Sequence, residues 1–469
     1  MKSASAFLTI LFATSIVQAS DQTNLVFIIA DDCTFRDIGC YGGQAHTPNI
    51  DHLATQGMRF TRCFQAAPMC SPTRHNIYTG LYPVKSGAYP NHTFAKQGTK
   101  SVAHYLKAKG YRVALSGKTH IGPRSLFPFE YSGKKNPDMG KIKSLFVESS
   151  SAGKPFCLFA CSNEPHSPWN KGDASRYPPK KVKLPPYIAD TPVVRETFSR
   201  YLAEITYFDD QVGGILELLK KHNLEDDTLV MVVSEQGNAF PFAKWTCYGN
   251  GLQSAMIVRW PGKVKTGAVS DAVVEYVDVT PTFIEVAGGK IPKSLDGKSF
   301  LNVLTGKSNK HKQYTYGLMT TRGVINGSDS FGIRTVRDNR YRFIWNLHHE
   351  TKFTNACTQA DFFISMIDAA KGGDVHAKNL VTRYHHRPEF ELFDCDNDPL
   401  EMKNLADDES YAEVVSRLKS KLQEWMASQG DKGKDTEREA LLHQGRYRGK
   451  SLEEAEAMWR GKSKKKRKK

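Results

Sequence analysis

Beyond its first 19 residues the sequence has no apolar run long enough to cross a bilayer, because a span needs about 20 consecutive apolar residues. No transmembrane anchor is therefore expected. The N-terminal segment itself falls short of that length. Met1 to Ala19 holds one early Lys, an apolar run through Ala6-Phe7-Leu8-Thr9-Ile10-Leu11-Phe12, and Val17-Gln18-Ala19 before Ser20. This is the pattern of a cleavable secretory signal, so the chain is expected to be exported, to a periplasm, a lumen or the cell exterior. Negative charge is also short: 49 Asp and Glu face 65 Lys and Arg, a net +16. Lys462, Lys464, Lys465, Lys466, Arg467, Lys468 and Lys469 crowd the C-terminus, which leaves +9 for everything else. Such a cluster is usually a solvated tail. No nucleic-acid partner is expected of an exported chain, and the remaining excess suits an acidic extracellular polymer. Cysteine is scarce, at nine residues. Exported cysteines can bridge; setting Cys70 aside leaves eight, whose pairing the sequence does not decide.

The chain does not lack a core. Hydrophobic residues fill 40% of its 469 positions, enough for one large domain with a smaller companion. Leu25-Val26-Phe27-Ile28-Ile29-Ala30 is a continuous apolar run ending in Asp31-Asp32, as in a parallel strand buried on both faces. Three later runs repeat the arrangement. Tyr111 to Ser116 leads into Gly117-Lys118-Thr119-His120, Pro155 to Cys161 into Asn163-Glu164-Pro165-His166, and Thr228 to Val233 into Ser234-Glu235-Gln236-Gly237. Ligands bind at the C-terminal strand edge of open α/β sheets, and here four strands deliver metal-binding or anion-binding side chains to it. Asn49 to Gly57, Val102 to Gly110 and Arg195 to His222 read as helices; the last has Leu202, Ile205, Phe208, Val212, Ile215 and Leu219 on one face. The alternation predicts an α/β core.

After about residue 310 the pattern changes. Gln313 to Met319, Gly332 to Arg337, Arg340 to Asn346 and Phe390 to Phe393 read as strands, with a turn at Asp338-Asn339. Tyr411, Val414, Val415, Leu418, Leu422 and Trp425 mark an amphipathic helix. The prediction is a smaller antiparallel sheet with a helix laid on it. Lys171 to Pro192, rich in Pro and Lys, reads as a surface loop. From Gly430 on, charge dominates and a mobile tail is expected.

The most informative stretch is Met69-Cys70-Ser71-Pro72-Thr73-Arg74-His75, continued by Asn76-Ile77-Tyr78-Thr79-Gly80. Pro suits the first turn of a helix and Gly the residue just past its end, which puts Cys70 at a helix N-terminus. Unpaired N–H groups, the helix dipole and Arg74 one turn on favour an oxyanion there. Cys-x-Pro-x-Arg resembles the type I sulfatases, in which this Cys becomes formylglycine. The likeness extends to Asp31-Asp32, Gly117-Lys118-Thr119-His120, His166-Ser167-Pro168, Glu235-Gln236-Gly237 and Lys244. Later come Val277 to Thr282, Leu295 to Ser299, Glu391 to Asp394, Asp398-Pro399 and Asn404-Leu405-Ala406. Order and spacing agree from residue 24 to about 406.

The resemblance implies an alkaline-phosphatase/sulfatase-like α/β fold, a mixed sheet between helices with a smaller C-terminal sheet and helix. With the changes of pattern noted above, the chain divides into a signal (1–19), a catalytic domain (20–310), a smaller α+β domain (311–429) and a basic tail (430–469). The resemblance also implies a hard cation, Ca²⁺ before Mg²⁺, on Asp31, Asp32, Glu235, Gln236 and modified Cys70; oxygen ligands suit such an ion. Arg74, Lys118 and Lys244 would surround a sulfate. His166 or Lys244 would protonate the departing group, and His120 would take a proton from the remaining hydroxyl. The substrate would be a sulfated carbohydrate, and a formylglycine-generating enzyme a maturation partner. The family has Asp-Asn where this chain has Glu235-Gln236, which keeps ligand type and lengthens reach by a methylene. Gly117 to Pro123, Phe127-Pro128-Phe129 and Pro241 resemble the heparan N-sulfatase (sulfamidase) group. A phosphate or phosphonate ester hydrolase of the same superfamily and a non-catalytic glycan-binding protein are the rival readings.

Overall fold

The computed structural model describes residues 22–467; the leader read at residues 1–19 lies outside the described residues. Among these no helix is long and apolar enough to cross a membrane. The large sheet contains β1 (Asn24–Ile29), β2 (Met58–Phe64), β3 (Arg112–Gly117), β4 (Glu130–Ser132), β5 (Phe156–Cys161), β6 (Thr228–Val233), β7 (Gln253–Arg259), β8 (Ala268–Ser270) and β9 (Val274–Glu275). Their order is β4-β3-β5-β1-β6-β7-β2-β8, with β9 paired to β2. The pairs β3–β5, β5–β1 and β1–β6 are parallel, whereas β7 runs antiparallel to β6 and β2.

The continuous apolar runs follow from burial on both faces. Along β1, Val26 and Ile28 enter one apolar cluster, while Leu25, Phe27 and Ile29 enter the other. Helix Pro192–Lys221 fills the first cluster through Leu202, Ile205, Phe208, Val212, Ile215 and Leu219, all buried. Each such side chain contributes about 1.5–3 kcal/mol. The helix starts before Arg195 because Thr191 Oγ1 accepts the Val194 N–H at 3.1 Å and Pro192 fits its first turn. Ile77, Leu106 and Phe283 pack into the other cluster.

Register decides where the site can form. Gly117 lies opposite Cys161, Cys161 opposite Ile29, and Ile29 opposite Val233. Four adjacent parallel strands therefore stop together, and all four predicted motifs emerge side by side. Gly117, at φ 104°, is required there, since a Cβ would meet Cys161 O at 2.1 Å.

A second sheet joins β10 (Thr315–Thr320), β11 (Gly332–Arg337), β12 (Tyr341–Asn346) and β13 (Phe390–Asp394) in that order, all antiparallel. At the β11–β12 turn Asp338 Oδ1 accepts the N–H groups of Arg340 and Tyr341 at 2.8 and 2.6 Å. Helix Ala412–Gln429 lays Leu418, Leu422, Trp425 and Met426 against Leu318, Val336, Phe343 and Leu392. Helices Asp361–Lys371 and Val375–His385, absent from the sequence reading, lie between β12 and β13. All nine cysteines are free thiols.

Residues 430–461 depart from the expected tail. Lys434–Glu439 is a helix, and a further one begins at Leu452. Arg334 of β11 pairs with Asp431 and, at 2.9 Å, with Glu437; none of the three side chains is exposed. Leu441, Tyr447 and Ala455 form a small apolar cluster. A buried ionic triad anchors this segment, and composition counts its members as solvated charge. Replacing Arg334 by Ala leaves two buried carboxylates uncompensated, so a loss of about 3–5 kcal/mol is expected. It would be read as a lower urea midpoint at unchanged slope; an unchanged midpoint would show that the triad does not anchor the segment.

Candidate active site

Helix Cys70–Thr79 opens on Cys70 after an extended Met69 and closes at Gly80, whose φ of 65° lets its N–H reach Asn76 O at 3.1 Å. All ten helix residues are buried, so its polar side chains need partners inside the protein. His75 lies between Ser71 O, at 2.7 Å, and Gly122 O, at 3.1 Å. Phe127 and Phe129 pack edge-on against His75 and Tyr78; they support the helix and do not line the cavity described below. Arg74 reaches the strand edge, donating to Lys118 O at 3.0 Å and pairing with Glu235 at 2.5 Å.

Four of the five predicted metal-site residues meet at one side chain, that of Gln236, and Glu235 stands apart on Arg74. Gln236 Nε2 lies 3.2 Å from Asp31 Oδ1, 2.7 Å from Asp32 Oδ1 and 2.9 Å from Cys70 Sγ. Lys118 pairs with Asp31, Lys244 with Asp32 at 2.6 Å and Arg74 with Glu235, so three cations match three carboxylates. His166 Nε2 stands 3.6 Å from Asp32 Oδ2, and its Nδ1 donates to Ser167 O at 2.6 Å. Two buried oxygens, Glu235 Oε1 and Gln236 Oε1, have no hydrogen-bond partner. A buried orphan acceptor costs about 1–3 kcal/mol. With the Asp31 and Asp32 carboxylates these atoms make an oxygen donor set that suits a hard divalent cation. The longer Glu235 uses one oxygen on Arg74 and keeps the other free; the longer Gln236 spans from the carboxylates to Cys70.

Electrostatics follow from dryness. Burial raises the Asp32 carboxyl, but Lys244 and His166 outweigh it and hold it below the usual range. Burial lowers Lys244, and Asp32 and Cys70 more than restore its charge. Glu235 is pushed up by burial despite Arg74 and Lys118, a carboxyl short of positive charge. Burial pushes the Cys70 thiol up to about 11. The Asp32 carboxylate draws His166 up, yet burial, Lys244 and Lys118 bring it to about 4. Burial and then Lys118 keep His120 neutral.

Backbone strain concentrates here. Asp32, His92, His120, Gln236 and Trp245 have φ of 60°, 56°, 48°, 44° and 71°, each a cost of about 1–3 kcal/mol that the surroundings must hold. A cavity of ≈ 730 Å³ exposes Asp32, Cys70, His120, His166 and Lys244. His92, Trp169, Asn170, Arg200, Trp245 and Asp361 complete much of its wall. Trp169 stands just ahead of the loop from Lys171 to Pro192, and no residue of that loop lines the cavity. His92 and Asp361 were missed. A lone His after Pro90-Asn91 carries no local signal, and Asp361 arrives on one of the unread helices.

A family model described as Sulfatase matches residues 23–289, and one described as N-sulphoglucosamine sulphohydrolase, C-terminal, matches 237–361 and 365–428. The chain is 33% identical over 426 residues to an ulvan-active sulfatase of Formosa agariphila, covering 88% of this chain and 81% of that one. It is 26% identical over 460 residues to the N-sulphoglucosamine sulphohydrolase of Homo sapiens, covering 86% and 89%. A protein solved in complex with its substrate D-glucosamine-2-N,6-O-disulfate shares the fold at TM-score 0.66 and 18% identity, over 88% of this chain and 99% of that one. A 2-O GAG sulfatase does so at 0.65 and 18%, over 88% and 94%.

If the orphan oxygens serve a cation, adding Ca²⁺ to chelator-treated protein should raise its melting temperature. At a hundredfold excess over Kd the gain is about 2.7 kcal/mol. Asp31→Ala and Glu235→Ala should lose most of that shift, and a wild-type protein indifferent to Ca²⁺ and Mg²⁺ would rule the cation out.

Proposed function

Because the chain belongs to the sulfatase family and is a sulfuric ester hydrolase, we propose that it removes sulfate from a sulfated glycan through formylglycine made from Cys70. The observation that carries this reading is the meeting of Asp31, Asp32, Gln236 and Cys70 around one amide nitrogen, all within 3.2 Å. A thiol pushed up to about 11 is scarcely ionised at neutral pH and is a poor nucleophile as it stands. This supports chemistry through a modified residue 70, which requires a maturation enzyme as partner. Asp31, Asp32, Glu235, Gln236 and residue 70 would hold the cation, Ca²⁺ before Mg²⁺. Formylglycine supplies an aldehyde-derived oxygen nucleophile, and the cation supplies Lewis acidity toward it and the sulfate oxygens.

The chain's own residues do the rest. Arg74 and Lys244 present positive charge, and Lys118, which burial and then Lys244 bring down to about 7, adds more when protonated. Water is largely excluded from the site, so such charge stabilises developing oxyanion charge far better than in solution. In the structure each is occupied by a carboxylate. Held on those carboxylates, a divalent cation would leave the three free to face a sulfate group. Lys244, whose charge burial opposes and Asp32 and Cys70 sustain, is the group that gives a proton to the departing sugar atom. His166, with its hydrogen on Nδ1 toward Ser167 O and Nε2 facing Asp32, is neutral at rest and would give one only once protonated at Nε2. His120 is the group that accepts one. The outer wall, with Trp169, Trp245, Arg200 and Asp361, receives the sugar. An N-sulfated glucosamine is supported by the human relative's name and by the matching C-terminal model, an O-sulfated algal or animal polysaccharide by the other relatives.

The test is the mass of the tryptic peptide Cys63 to Arg74 from a host with a formylglycine-generating enzyme. An aldehyde oxygen in place of the thiol is expected, and full turnover with an unmodified thiol would overturn the mechanism. Cys70→Ala should abolish hydrolysis, whereas a glycan-binding protein would be unaffected. Turnover should favour an aryl sulfate over the matching aryl phosphate; the reverse order would make it a phosphate ester hydrolase.

A further inference from the structure

His120 Nε2 lies 2.9 Å from His92 Nδ1, the rings 4.8 Å apart and tilted by 48°. His120 Nδ1 is buried and has no partner. Both residues hold positive φ, at 48° and 56°, so two strained backbones bring the rings together. His92 itself is exposed, which leaves its Nε2 free to bond water.

We infer that His92 is a positioning residue for His120: its Nδ1 accepts the Nε2–H of His120 and so presents the bare Nδ1 of His120 as the proton acceptor of the reaction. The inference rests on the sulfatase reading above. Burial first, then Lys118, Arg74 and Lys244 around His120 and Arg446 and Lys244 around His92, disfavour a charged ring at either position. A bond between two neutral imidazoles needs one donor and one acceptor, and the partner of one ring nitrogen decides the tautomer of the other. The opposite arrangement would place the hydrogen on His120 Nδ1 and leave that nitrogen unable to accept the proton that the sulfatase reading requires it to take. When His120 takes a proton on Nδ1, the Nε2–H bond to His92 becomes charge-assisted and stronger. His92 thus plays the part that a carboxylate plays beside other catalytic histidines, without adding a negative charge to a site that must receive sulfate.

The loop carrying His92 is held from both sides. Ser71 Oγ, next to Cys70, accepts the Thr93 N–H at 3.3 Å. The C-terminal segment supplies the other clamp: Gln444, fully buried, donates Nε2 to Asn91 O at 2.7 Å, and Thr93 Oγ1 donates to His443 O at 2.8 Å. The stretch that reads as a tail therefore fixes the backbone of a cavity-lining histidine.

His92→Phe keeps a ring but has no acceptor, and His92→Asn restores an acceptor near the Nδ1 position. Exposure leaves room for both, and because Asn adopts the φ of 56° more readily than Phe, equal melting temperatures of the two variants are the control for the backbone. With kcat and KM measured on one sulfate ester, His92→Phe should lower kcat about 10–100-fold with little change in KM. His92→Asn should recover most of the loss. Unchanged kcat in His92→Phe, equal losses in both variants, or a change confined to KM would overturn the inference while wild-type turnover upholds the sulfatase reading. Absence of turnover in matured wild-type protein would overturn that reading, and this inference with it.

Discussion

Three carboxylates and three cations buried at one sheet edge are the constraint on which the rest of the structure depends. Asp31, Asp32 and Glu235 have at most 1% exposure, and an unpaired charge in such a place is not tolerated. Lys118, Lys244 and Arg74 answer them one for one. Each partner comes from a different part of the chain, so the pairing exists only if β1, β3, β6, the Cys70–Thr79 helix and the Lys244 loop are all in place. The common stopping point of four parallel strands satisfies that condition. The arrangement also explains how a site so rich in charge can be dry: its three carboxylates and three cations offset one another.

Dry, neutral and strained are linked properties here. Positive φ at Asp32, His120 and Gln236 turns each chain sharply as it leaves its strand, so that side chains from neighbouring strands face one point instead of running outward in parallel. Such turns persist because the strands beneath them are buried on both faces. Support also comes from an unexpected quarter. The triad of Arg334, Asp431 and Glu437 ties the last described segment to β11, and that segment clamps the loop beside Cys70 through Gln444 and His443.

The residues that resemble the heparan N-sulfatase group divide by role in a way that bears on specificity. Phe127 and Phe129 lie in the core against the Cys70 helix, so their likeness concerns how the helix is seated. The cavity wall is made by Trp169, Arg200, Trp245 and Asp361, from separate loops and helices. On the proposed reading, specificity would rest on loops and helices separate from the residues that face the sulfate.

The sequence by itself determined the elements whose cause is local or periodic. Apolar runs bounded by polar motifs marked β1, β3, β5 and β6 to within a residue or two, helical spacing marked the buried face of Pro192–Lys221, and Pro72 with Gly80 marked the Cys70 helix. It also brought forward every residue of the charged cluster, because each sits directly after a strand or inside a recognisable motif. Only the tertiary structure decided what depends on distant partners. The pairing of Arg74 with Glu235, the free oxygens of Glu235 and Gln236, the His92–His120 contact and the burial of residues 430–461 all join groups far apart in the chain. Asp431 and Glu437 in a sequence look like solvent-exposed charge; they are buried because Arg334, about a hundred positions away on β11, offsets their charge where water is absent.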